Sequence, residues 1–436
     1  MKEIILNMED KTITAETFYY SSIAPTKKGL AIAFIICYIS IMFSGTSSML
    51  MSVYLPVAVK DLLGNKNPEE LNYISAYINA VFVFGWAIGG FVWGILGDRL
   101  GRKKAVILSI ACYGLFTLLT GYMQDWWGVV GCRFMSGFGM GGVLVATTTL
   151  MVEEWPEKSK AIFIGILSIS MPVGIFSAGL INYIVASWRQ GFLIGILPVS
   201  IAIISVWLLR ESGKWKGAHT NVIASVKTEK LFSPGLRVNV FIGSIIFGSM
   251  LIGLWAIFSW VPTWIQSISS VADAQQERGL SMMVLGIGGL TGGFLSGWIC
   301  NAFGVRRSMI ICFAACSLVS FILFKTNAAF SPIIYAEIAL LALFFGISQG
   351  VLSVYIPQLF PVHIRATATG FCFNIGRLFT ASAVLFVGVL ESALGGYGNA
   401  LFIFTLVFIL GLIAMLTAKE KHVNIATEYS SITTEI

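Results

Sequence analysis

Apolar runs long enough to cross a bilayer recur along almost the whole chain, and no other feature restricts its fold as tightly. They lie near residues 29–54, 73–96, 105–123, 128–152, 161–186 and 190–209 and, after a polar stretch, near 238–266, 279–300, 308–325, 331–357, 366–390 and 399–418. A helix needs roughly 20 apolar residues to cross a hydrocarbon core about 30 Å thick. Twelve helices with short loops therefore nearly use up the 436 residues. Charged residues are 11% of the chain and hydrophobic ones 57%, against about 25% charge in soluble domains. The chain reads as an all-α integral membrane protein with little room for a soluble domain. Pro172, Pro198, Pro262 and Pro357 fall in these runs, where neighbouring helices can satisfy the freed backbone groups.

Basic residues set the expected orientation. Of 28 lysines and arginines, 21 fall in the tails, the 210–237 stretch and the loops on the same side as these. Five (Lys60, Lys66, Arg189, Arg278 and Lys325) fall on the other side, and Arg133 and Arg377 fall inside runs. Excess cations mark the cytoplasmic side, so both termini are expected there, in a cell inner (plasma) membrane. The polar first 28 residues, with Glu3, Glu9 and Asp10, are expected to be a cytoplasmic tail rather than a cleaved signal. The seven cysteines lie in or at the ends of apolar runs without zinc-type spacing. No cofactor or metal is expected. The net charge of +7 is dispersed beside the spans rather than gathered in a nucleic-acid patch.

The chain also repeats itself. Residues 91–105, FVWGILGDRLGRKKA, align with 294–308, FLSGWICNAFGVRRS, at an offset of 203, pairing Gly101 with Gly304 and Lys103–Lys104 with Arg306–Arg307. Further on, Trp155–Pro156 pairs with Phe360–Pro361 and Lys160 with Arg365 at an offset of 205. Both pieces follow the second and fourth run of each half. Two parallel pseudo-symmetric six-helix bundles are expected, 29–209 and 238–418, joined by a linker at 210–237 and flanked by tails at 1–28 and 419–436. Such duplicated bundles place substrate near the midplane between the halves.

Gly97-Asp98-Arg99-Leu100-Gly101-Arg102-Lys103 resembles the signature loop of the major facilitator superfamily, and Arg133 with Gly137, Gly139 and Gly141 resembles that family's fourth-helix motif. The segments 360–367, FPVHIRAT, and 370–377, GFCFNIGR, are most similar to the organic-acid and sialic-acid proton symporters. The resemblance spans about residues 29 to 418. It implies the major facilitator fold, a functional monomer, and proton-coupled uptake by alternating access. Members of that branch often carry an aspartate in the first helix, whereas residues 44–48 here read SGTSS.

Arg377 is the residue that most needs a role. It lies 11 residues beyond Ala366, which is about 17 Å along a helix and near the bilayer midplane. At that depth a charge must face protein or a water-filled cavity. Asn374, three residues earlier, shares its face, so the two offer a carboxylate a planar fork and an amide. The alternative is a structural bond to helix-end carbonyls. Gln349, Tyr77, Asn79 and Trp260 are candidate cavity neighbours. Arg133, nearer a helix end, is read either as structural or gating, with snorkelling open to it, or as directly coupling.

Asp98, Arg99 and Arg102 are read as a cytoplasmic gate latch, or as cations that only fix orientation. Glu153, Glu154 and Arg365 join the gating set, and Glu337 is a candidate proton route. The expected function is import of a small organic anion, such as a sialic acid, a hexuronate or an aromatic carboxylate. Drug or metabolite efflux and neutral-sugar transport are the alternatives within transport. Three histidines, with no metal cluster, nucleophile elbow or P-loop, argue against a membrane enzyme. A membrane sensor without flux is the alternative outside transport.

Overall fold

The computed structural model describes residues 26–64, 67–213, 215–216, 232–233, 236–361 and 364–417. The expected tails and much of the linker lie outside these residues. Twelve helices are long and apolar enough to span a membrane. In the first half they are α1 (Lys27–Leu63), α2 (Pro68–Leu100), α3 (Arg102–Thr120), α4 (Trp126–Glu154), α5 (Lys158–Ile184) and α6 (Trp188–Leu208). In the second they are α7 (Arg237–Phe258), α8 (Gln275–Phe303), α9 (Val305–Thr326), α10 (Ile333–Gln358), α11 (Arg365–Leu394) and α12 (Tyr397–Thr417).

Most boundaries fall within a few residues of the apolar runs. The exception is α1, which continues through Pro56 to Leu63 and stops where Gly64 turns at φ 65°. Asp125 and Asn67 start α4 and α2 by accepting from the backbone N–H groups of Gly128 (2.7 Å) and Glu69 (3.3 Å), the usual remedy for unbonded first-turn donors. After Phe258 the chain re-forms as a short helix at Val261–Ile268, so the seventh run is two helices rather than one.

The repeat is visible in the backbone. Gly101 and Gly304 both adopt positive φ, 102° and 79°, as the chain turns from α2 into α3 and from α8 into α9. Side chains rarely tolerate that conformation. The motif glycines Gly137 and Gly141 press α4 onto α2, where a Cβ would meet the carbonyl oxygen of Phe82 at 2.0 Å and that of Trp86 at 2.5 Å. Small residues at such spacing let membrane helices approach backbone to backbone. Between the halves, α2 packs against α11, and α5 against α8. All seven cysteines are free.

Candidate substrate and gating sites

The end of the bundle that carries the Gly101 and Gly304 turns is here the linker end, and the opposite one the far end. Arg377 lies between them on α11, facing α2. One guanidinium nitrogen donates to Asn374 Oδ1 at 2.7 Å, and the group sits 5.0 Å from the Trp86 ring centre. Gly90 makes this approach possible, since a Cβ there would lie 2.7 Å from Asn374 Oδ1. Trp86 in turn meets Trp255 of α7 edge to face at 4.9 Å.

No acidic side chain pairs with Arg377 among the described residues, and its Nε finds no partner. Trp86 Nε1 and Gln349 Nε2 are likewise buried donors without acceptors. A part-buried cation without a counter-charge and buried N–H groups left unpaired are costly. These groups call for acceptor atoms that the protein does not supply.

The other proposed neighbours are placed differently. Asn79 is buried on the α2 face that meets the second half, and its Nδ2 donates to the Ser259 carbonyl at 3.4 Å. Tyr77 is about 200° around the helix from Asn79 and shares an exposed stripe with Tyr73, Phe84 and Phe91. Trp260 is fully buried, its indole N–H donating to the Val384 carbonyl at 3.1 Å and its ring stacked on Tyr397. Tyr77 and Trp260 are therefore not brought to the Arg377 pair.

Arg133 does not snorkel. It is 1% exposed, donates to the carbonyls of Ser47 (2.9 Å) and Ser48 (3.3 Å) on α1, and lies 3.9 Å from the Phe82 ring centre. It ties α4 to α1 within the first half, where main-chain acceptors take its two terminal nitrogens and its Nε is left without a partner.

At the linker end, Arg102 bridges Asp98 (2.6 Å) and Glu153 (2.9 Å). The start of the linker completes this cluster. Ser212 donates to Glu153, the Gly213 N–H to Glu154, and Trp215 Nε1 to the Asp98 carbonyl. Glu211 accepts from the Lys103 N–H at 3.0 Å. These bonds hold the first half to the linker rather than to the second half. Arg99 is exposed beside the cluster. In the second half Arg365 Nε donates to the Phe360 carbonyl. At the far end Glu337 accepts from Asn327 Nδ2.

Contacts that join the halves gather toward the far end. Asn72 donates to Glu391 (2.5 Å) and accepts from Tyr397 (2.5 Å), and Gln275 donates to the Asn182 carbonyl (2.7 Å). The main clasp is Arg278, placed by the sequence reading among the outer cations. It is 0% exposed, donates from Nε to the Val53 carbonyl of α1 at 3.1 Å, pairs with Asp273 at 2.9 Å and also reaches Gln266. Its depth was hidden because its partner is 225 residues away. Trp86 and Trp255 were missed for another reason, since tryptophan is common in this chain. The spacing of Asn79, Trp86 and Gly90, which puts all three on one face of α2, is the signal that finds the first of them.

Two repeated six-helix halves, sealed together at one end and holding an unpaired cation at mid-depth on their seam, are the architecture of an alternating-access membrane transporter. The Major Facilitator Superfamily matches residues 36–383, and the chain belongs to that family. It is a multi-pass transporter and not an enzyme. It is 27% identical to a cis,cis-muconate transport protein of Acinetobacter baylyi over 405 residues, which cover 90% of this chain and 95% of that one. A sialic acid transporter of Escherichia coli is 26% identical over 413 residues, covering 90% and 94% of the two chains. In fold it is similar to the inward-open xylose transporter of Escherichia coli, with a TM-score of 0.77 at 15% identity, covering 92% of this chain and 99% of that one.

Proposed function

We propose that the chain imports a small organic anion across the plasma membrane, with the linker end cytoplasmic, and that Arg377 binds the anionic group. The observation that carries this reading is the unpaired guanidinium at mid-depth, whose counter-charge the substrate supplies. The fork of Arg377, backed by Asn374, takes the carboxylate, and Trp86 and Trp255 present ring surface beside it. The unsatisfied groups of the guanidinium and of the ring beside it, Arg377 Nε and Trp86 Nε1, are both donors. A flat unsaturated carboxylate matches that set better than a sugar acid, whose hydroxyls also need acceptors. The names of the muconate and sialic acid relatives support an organic acid in general.

In the proposed cycle, substrate binding between the halves favours release of the Arg278 clasp and closure at the linker end, where the Asp98 cluster acts as the latch. Proton coupling is part of the proposal. Without an acid in α1 at 44–48, it falls to carboxylates such as Glu391, which accepts from Asn72 across the seam, or Glu337. The test is a thermal-shift panel on the purified full chain with benzoate, muconate, sialic acid, a hexuronate and xylose. Stabilisation by ligand follows from mass action. Uptake into proteoliposomes with and without an inward proton gradient follows. Stabilisation by the planar carboxylates and gradient-driven uptake are expected. Response to xylose alone makes the chain a neutral-sugar porter and overturns the anion site, whereas binding without flux makes it a sensor.

A further inference from the structure

A cavity of about 390 Å³ lies between α7, α11 and α12, away from the Arg377 pair. Phe379 lines it, and Phe379 is about 200° around α11 from Arg377, so the cavity opens away from the seam. Phe241, Phe379 and Leu410 on its walls are 67%, 61% and 54% exposed within membrane-spanning helices. The solvent available to such a groove is the bilayer itself.

Its polarity changes with depth. The mouth is Arg237, the first residue of α7, exposed and with no hydrogen bond or ion pair from its guanidinium to any described residue. Arg365 begins the other wall at the same end. Seven residues deeper, about 10 Å along the helix, the buried Ser244 hydroxyl has only the weakly polar Cys372 thiol beside it and no full partner. Beyond it the lining is hydrocarbon apart from Ser249 as far as Ile252, about 22 Å from the mouth. That depth exceeds the half-thickness of the core, about 15 Å. A cation at the surface, a free hydroxyl donor below it and then a mostly hydrocarbon wall, interrupted by Ser249, match the phosphate, ester and acyl chain of a phospholipid. A free fatty acid held by Arg237 would leave Ser244 unused.

We propose that this groove holds one acyl chain of an anionic phospholipid, its phosphate on Arg237 and an ester carbonyl on Ser244. Cations at the headgroup level favour anionic lipid by about 1 kcal/mol each, which is about five-fold.

Native mass spectrometry of the delipidated full chain, titrated with phosphatidylglycerol or phosphatidylcholine, tests this. Wild type is expected to retain one phosphatidylglycerol with about five-fold preference. Arg237→Gln should bring it down to the phosphatidylcholine level, and Arg237→Lys should keep the preference. Ser244→Phe, which fills the groove, should displace one lipid of either kind while melting midpoint and monodispersity stay at wild type. Arg237 is exposed, so its variants read the site even if Ser244→Phe fails to fold. An undiminished preference in Arg237→Gln overturns the proposal. So does full lipid retention in a folded Ser244→Phe, or palmitate displacing phosphatidylglycerol at equal concentration, which would assign a fatty acid instead.

Discussion

Replacing Arg377 by alanine is the sharpest test of the anion site. The change removes the guanidinium that donates to Asn374 and faces Trp86, and leaves Asn374 Oδ1 against Gly90 without its donor. The cation–ring contact and the Asn374 bond exist before substrate arrives, so their loss alters the free protein more than the binding step. What binding loses is a charged hydrogen bond of about 1.5–3 kcal/mol, or roughly 10- to 150-fold in Kd. Arg377→Lys keeps a charge but not the fork, so it should fall between wild type and alanine. Trp86→Phe keeps a ring face and removes the unpartnered N–H, for a loss of about 0.5–1.5 kcal/mol, or roughly 2- to 12-fold. Isothermal titration with the acid that gives the largest thermal shift reads all three, alongside detergent monodispersity. A folded Arg377→Ala that binds with unchanged affinity refutes the assignment.

Asp98→Asn removes the charge from the Arg102 bridge and should lower transport rate more than affinity, because a latch acts on the conformational equilibrium. Wild-type rates in proteoliposomes would count against it. Arg278→Ala should unseal the far end, raising its open-to-closed ratio roughly 10- to 150-fold for one charged hydrogen bond lost. Labelling of Ser259→Cys by an impermeant maleimide added on that side reads the shift, and unchanged labelling removes Arg278 from the gate. Reporter fusions after Lys216 and after Thr417 should both report the cytoplasm, and an external signal from either reverses the orientation.

The spans were legible because a bilayer demands an apolar run whatever the packing, and α1 overran its expected end because Pro56 does not break a helix supported by its neighbours. The repeat was legible at Gly101 and Gly304, where a turn forces the residue type. Arg377 and Asn374 were legible as a pair because three residues separate them on one helix. Arg278 was not, since sequence shows a charge near a helix end but not the carbonyl that a distant helix presents to it. Trp260 looked like a cavity residue because its amphipathic ring suits one, yet the Val384 carbonyl satisfies it within the packed far end. The linker's part in the Asp98 cluster was hidden for the reason that hid Arg278, contact between segments far apart in sequence.

Two bonds of the far-end seal are asymmetric in which half supplies the side chain. Arg278 and Gln275 donate from the second half, and what they bind in the first half is main chain, the carbonyls of Val53 and Asn182. A carbonyl is present whatever side chain its residue carries. Substitutions at 53 and 182 that keep α1 and α5 helical therefore leave both bonds available, while positions 275 and 278 have no such latitude. At these two contacts the first half can drift in sequence without losing the bond, whereas Asn72, which bonds Glu391 and Tyr397 through its side chain, has no such freedom.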